Sequence, residues 1–138
     1  MPLHRLHVST RGKGLYEITG HIAGWLDSTG VESGLLTVFV QHTSASLTIQ
    51  ENADRDVRRD LATALDRLAP ADAGWVHDVE GPDDMPAHVK TMLSGVSLHI
   101  PVAGGKMLLG TWQGIYLVEH RTRPHGRKIV LQFLGGAR

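Results

Sequence analysis

The sequence predicts an α+β fold: one compact domain over residues 1–138, with mostly antiparallel β-sheets and two principal helices. Three observations carry this reading. Short segments rich in β-branched and aromatic residues recur along the chain, divided by glycines that crowd its last third. Only the middle of the chain shows long helical periodicity. The long continuous apolar runs of a purely parallel sheet are scarce.

Leu3 to Ser9 reads as a first strand and Leu15 to Thr19 as a second. His21 to Ser28 reads as a short helix, because Ile22, Trp25 and Leu26 fall at helical spacing before Gly30. "LLTVFVQ", Leu35 to Gln41, has the composition of a largely buried strand. "SLTIQ", Ser46 to Gln50, reads as a return strand or an extended turn.

Asp54 to Leu68 is the clearest helix, with Val57, Leu61, Ala64, Leu65 and Leu68 on one face, Asn52 as the expected cap and Pro70 beyond its end. Ala71 to Met85 lacks apolar periodicity and reads as a loop. A second principal helix is expected from about Pro86 to Gly95, capped by Asp84, with Val89, Met92 and Leu93 packed inward. Val96 to Pro101, Met107 to Leu109, Ile115 to Glu119 and Lys128 to Leu134 complete the strands, and residues 101–135 read as a meander.

Composition excludes several functions. Fourteen basic residues balance fourteen acidic ones, so no broad basic surface points to nucleic acid. There is no cysteine, which removes disulfide and thiolate chemistry. No apolar run reaches membrane-spanning length and "MPLHRLHVST" lacks a hydrophobic signal core, so a cytoplasmic protein without membrane contact is expected. Neither a glycine-rich phosphate loop nor a dinucleotide fingerprint is present.

The polar residues cluster in four places. His42 follows a strand and precedes Thr43 and Ser44; a strand end presents a ligand or base rigidly, although a turn histidine is the plainer reading. "ENADRD" places Glu51, Asn52, Asp54 and Asp56 at a helix start, where they serve as cap and solvated first turn or face His42. "HDVEGPDDMPAHVK" carries His77, Asp78, Glu80, Asp83, Asp84 and His88. Imidazoles favour zinc and other transition metals, and carboxylates also suit magnesium. The alternative for this segment is an acidic loop capped onto its helix. Late in the chain, "GTWQG" offers Trp112 and Gln113 to a flat ligand or to packing. Glu119 ends the next strand, and Arg121 and Arg127 offer paired donors to a phosphorylated small molecule.

Three separated stretches, "HTSASLTIQENAD" at 42–54, "HDVEGPDDMPAHVK" at 77–90 and "IPVAGGKMLLGTWQGIYLVEHR" at 100–121, resemble the YjbQ-like family across nearly the whole chain. The resemblance implies a YjbQ-like fold, a homotrimer and a secondary thiamine-phosphate synthase activity. In that reaction an aminopyrimidine methyl diphosphate joins a thiazole phosphate and releases diphosphate. On this reading His42, Glu51, His88 and Glu119 are the catalytic candidates. Asn52, Trp112, Gln113, Arg121 and Arg127 bind substrate, and His42, His77 and His88 hold a divalent metal, magnesium or zinc. Asp84 stands where an asparagine is frequent in the family. The competing expectations are a metal-dependent hydrolase of a phosphorylated small molecule and a noncatalytic trimer that binds such a metabolite.

Overall fold

The computed structural model describes residues 2–137. The chain runs β1 (Leu3–Ser9), β2 (Gly14–Glu17), α1 (Thr19–Thr29), β3 (Val31–Val40), β4 (Ala45–Glu51), α2 (Arg55–Leu68), α3 (Asp84–Ser94), β5 (Ser97–Ala103), β6 (Lys106–Met107), β7 (Gln113–Glu119) and β8 (Gly126–Ala137). Strands β1-β8-β3-β5-β6 form one sheet and β2-β7-β4 a second. Every pairing is antiparallel.

The core lies between the two sheets. Leu36, Val38, Ile100, Leu131 and Phe133 come from the larger sheet, Leu47, Ile115 and Leu117 from the smaller, and Ile22 and Leu26 of α1 join them. Alternation along β3 buries Leu36, Val38 and Val40 and leaves Leu35 and Phe39 on the outer face. Gly34 faces Gly135 across β3 and β8, and a Cβ on either would run into the backbone of the other strand. Among the described residues no helix is long and apolar enough to cross a membrane.

Several sequence expectations need correction. The closing segment is not a meander: β7 leaves the β5–β6 hairpin to become the centre of the smaller sheet, and β8 returns to the larger one between β1 and β3. Turn glycines look alike whether a strand continues its sheet or crosses to the next. The cap of α2 is Asp54 rather than Asn52, its carboxylate accepting the Asp56 N–H at 2.9 Å. The apolar face of α2 is only partly covered; Leu61 and Leu65 are half-buried, and the helix has no buried residue.

The correction to α3 matters most for the site. This helix begins at Asp84, with Pro86 in its first turn, and its buried residues are Asp84, Pro86, Ala87, Lys90 and Thr91. Met92 and Leu93 are exposed instead. A polar stripe faces inward because the Asp84 and Lys90 charges find partners there, which outweighs hydrophobic periodicity.

Candidate metal centre

The loop after α2 carries His77 back to the first turns of α3. Asp84 and His88 stand four residues apart on that helix and share one face. The Nε2 atoms of His77 and His88 lie 2.7 and 3.0 Å from the same oxygen, Asp84 Oδ2. Asp84 forms the buried floor, while the two imidazoles make a partly exposed rim. One ligand atom from each residue falls within 4.8 Å of the others.

Neighbouring groups fix these three side chains. The other Asp84 oxygen accepts from Arg121 Nη1 at 2.6 Å. Arg121 Nε donates to Asp83 at 3.0 Å and Nη2 to the Glu80 carbonyl at 2.8 Å, so the guanidinium clamps the loop to the start of α3. His88 Nδ1 lies 2.8 Å from the Thr43 carbonyl, which can only accept. Nδ1 therefore carries hydrogen, and Nε2, which faces Asp84 Oδ2, is the nitrogen that could take a metal in exchange for its proton.

Electrostatics agree with the geometry. Burial opposes charge on Asp84, but the His77 hydrogen bond and the charges of His88 and Arg121 outweigh it and hold the carboxyl below its ordinary range. Burial likewise opposes charge on Asp83, yet the Thr122 N–H and the Arg121 guanidinium bring its pKa to about 2. Two imidazole nitrogens and one ionised oxygen form a donor set that fits zinc or a similar transition metal better than magnesium, which prefers oxygen.

The remaining candidates fall into four groups. His42 lies outside the triad: its Nε2 accepts the Lys128 N–H at 2.8 Å. Glu119 and Arg127 form a buried pair, with Arg127 Nε and Nη2 reaching both carboxylate oxygens at 2.8 and 2.5 Å. Thr10 Oγ1 also donates to Glu119, and Arg127 reaches Ser44. This pair ties β7 to β8 and to the turn after β3. Arg121 is likewise occupied with protein acceptors.

Glu51, Asn52, Trp112 and Gln113 gather elsewhere. Glu51 Oε2 accepts the Asp54 N–H, Asn52 N–H donates to the Trp112 carbonyl, and Gln113 Oε1 accepts the Gly110 N–H. The β4–β7 register pairs Ala45 with Glu119 at one end and Glu51 with Gln113 at the other. Six residues of strand separate the groups by roughly 20 Å within one chain.

The sequence places Asp84 in the histidine–carboxylate cluster but gives it the role of helix cap, with His42 rather than Asp84 in the expected metal set. The i,i+4 spacing of Asp84 and His88 was the signal that could have found it. The Thr43 carbonyl had no signal, since any residue supplies one.

An α+β sandwich with a histidine–carboxylate centre at a helix start defines the class of protein. The UPF0047 protein YjbQ-like family matches residues 4–136, and the chain belongs to that family. A UPF0047 protein of Synechocystis is 49% identical over 131 residues, covering 94% of this chain and 89% of the relative. The UPF0047 protein YjbQ of Salmonella typhimurium is 45% identical, covering 93% and 94%. Among solved structures, a hypothetical protein of Aeropyrum pernix superposes with a TM-score of 0.90 at 32% identity, covering 98% of this chain and 99% of that one. A conserved hypothetical protein of Thermus thermophilus gives 0.85 at 35% identity, covering 95% and 99%.

Proposed function

We propose that the chain is a divalent-metal-dependent enzyme acting on phosphorylated small molecules, and that its reaction is thiamine-phosphate synthase-like coupling. The observation that carries the metal-dependent part is the convergence of His77, Asp84 and His88, with Arg121 and the Thr43 carbonyl fixing two of the ligands. The coupling reaction rests on the family resemblance of the stretches at 42–54, 77–90 and 100–121.

In that reaction the thiazole nitrogen attacks the methylene carbon of the aminopyrimidine. The carbon–oxygen bond breaks and its electron pair leaves on diphosphate. A bound divalent cation supplies positive charge for the departing oxygens. The chain itself contributes a preset ligand geometry and needs no nucleophile of its own. A hollow of 630 Å³ beside Arg121 is lined by Lys13 and Arg123 as well as by Glu80 and Asp83, and Arg123 is the cation there with most freedom to meet an anionic end.

Hydrolysis is the second reading, because three protein ligands with an open rim also suit metal hydrolases. A noncatalytic metabolite-binding protein is the third. The proposed assembly is a homotrimer working in the cytoplasm. The uncovered sheet face with Leu35, Phe39 and Leu134 supports association, and a second copy is the route by which Trp112 and Gln113 reach a triad.

The test is a coupling assay on zinc-, manganese- or magnesium-loaded protein with both substrates, detecting thiamine monophosphate directly. Saturable product that His88→Ala abolishes supports the synthase. Diphosphate or phosphate release without thiazole phosphate supports hydrolysis, and saturable binding without turnover supports the binding protein.

A further inference from the structure

A shallow hollow of 430 Å³ is lined by His88 together with His42, Thr43, Thr91, Met92, Gly95 and Val96, and Arg121 is not part of it. His88 belongs both to this hollow and to the candidate metal centre. Apart from the two imidazoles the lining is mostly apolar or backbone, which suits a flat organic group more than a free anion.

His42 has a fixed hydrogen-bonding polarity here. Gln41 N–H, just past β3, donates to the Lys128 carbonyl of β8 at 3.0 Å, one step beyond the Val40–Ile129 pair that ends the β3–β8 ladder. The Lys128 N–H then finds the imidazole of His42 in place of a carbonyl. A backbone N–H can only donate, so Nε2 must hold a lone pair and the ring hydrogen must sit on Nδ1. Burial, aided by Arg127, favours this neutral ring. Nδ1 has no protein acceptor among the described residues.

Capping the strand accounts for Nε2 and leaves Nδ1–H unused. We infer that His42 is a substrate-positioning residue whose Nδ1–H donates to an acceptor atom on a flat, largely apolar ligand group seated against Met92 and Val96, beside the metal centre. An aminopyrimidine ring nitrogen is such an acceptor, and in that respect the inference rests on the synthase reading. On this inference His42 is not a metal ligand, since its Nε2 is engaged by the Lys128 N–H.

Glutamine and asparagine separate the two nitrogens. In His42→Gln the amide oxygen reaches the Nε2 position and keeps the Lys128 bond, but the Nδ1 donor is lost. In His42→Asn the amide reaches the Nδ1 position and the strand cap is lost. Three quantities are compared on the zinc-loaded protein: the thermal midpoint, zinc affinity by calorimetry, and binding of 4-amino-2-methylpyrimidine and of benzamide by NMR titration.

The expected result is that His42→Gln melts with the wild type and binds zinc equally, but binds the aminopyrimidine about tenfold more weakly. His42→Asn melts lower and keeps more of the ligand affinity. Unchanged aminopyrimidine affinity in His42→Gln overturns the inference and leaves His42 a strand cap. A tenfold loss of zinc affinity overturns it in favour of a metal ligand. Benzamide binding that depends on His42, with none for the aminopyrimidine, keeps the inference and removes the synthase reading. Binding of neither probe by the wild type overturns the inference.

Discussion

Asp84 hands one carboxylate oxygen to the histidines and the other to Arg121, whose Nη1 lies 2.6 Å away. The carboxylate is thus oriented by protein contacts alone. The guanidinium of Arg121 is the part that decides this, because its three donors reach Asp83, Asp84 and the Glu80 carbonyl at once.

Arg121→Gln is therefore expected to lower zinc affinity by about 10–100-fold with all three ligands still present. Arg121→Lys should restore little, since an ammonium cannot span the same three acceptors. Calorimetric zinc titration of the three proteins checks this. Wild-type affinity in Arg121→Gln would mean that the clamp is irrelevant to the centre.

The Glu119–Arg127 pair is expected to govern stability rather than metal binding. Both groups are buried, and burial of Glu119 is outweighed by Arg127, Thr10 and the Arg121 N–H, which keep it ionised. Arg127→Met leaves that carboxylate unpaired and should cost about 3–5 kcal/mol in urea unfolding. Glu119→Gln should leave zinc affinity within about twofold of wild type, as expected of a substitution outside the three ligands.

His120 predicts acid sensitivity of known sign. It is buried with Nε2 2.8 Å from Ser46 Oγ, and burial, with Lys90 and Arg127 outweighing Glu119 and Asp66, brings its pKa to about 4 from 6.5. The unfolded chain binds this proton at higher pH than the folded one. Stability from this residue is complete above about pH 6.5 and falls as pH drops toward 4, by about 3 kcal/mol in all. Unfolding free energies at pH 7 and 4.5 should differ less in His120→Gln than in the wild type.

Helix α2 is expected to open first. None of its residues is buried, and Asp66 ties it to the buried Lys90 at 2.5 Å and to Lys13 at 3.1 Å. Asp66→Asn should speed amide exchange in α2 while the amides of β3 and β8 stay protected at pH 7. Uniform acceleration across the chain would show that α2 unfolds only with the core.

The strands were legible because alternation follows directly from burial of one sheet face, as in Leu36, Val38 and Val40. The inward face of α3 was not, because Asp84 and Lys90 are buried through ion pairs with Arg121 and Asp66, residues distant in sequence. The same cause hid the division of the candidate site. Glu51 and Glu119 look equivalent as strand-end carboxylates, yet register places them at opposite ends of β4 and β7. His77 and His88 were legible as a pair, and only the returning loop shows that Asp84, not His42, completes the triad.

The most direct measurement is a crystal structure of zinc-soaked protein with anomalous data collected at the zinc edge. One strong peak per chain is expected about 2.0–2.2 Å from Nε2 of His77, Nε2 of His88 and an oxygen of Asp84, absent from an Asp84→Ala crystal treated identically. No peak at the triad, or a peak held by His42 instead of Asp84, would contradict the proposed centre.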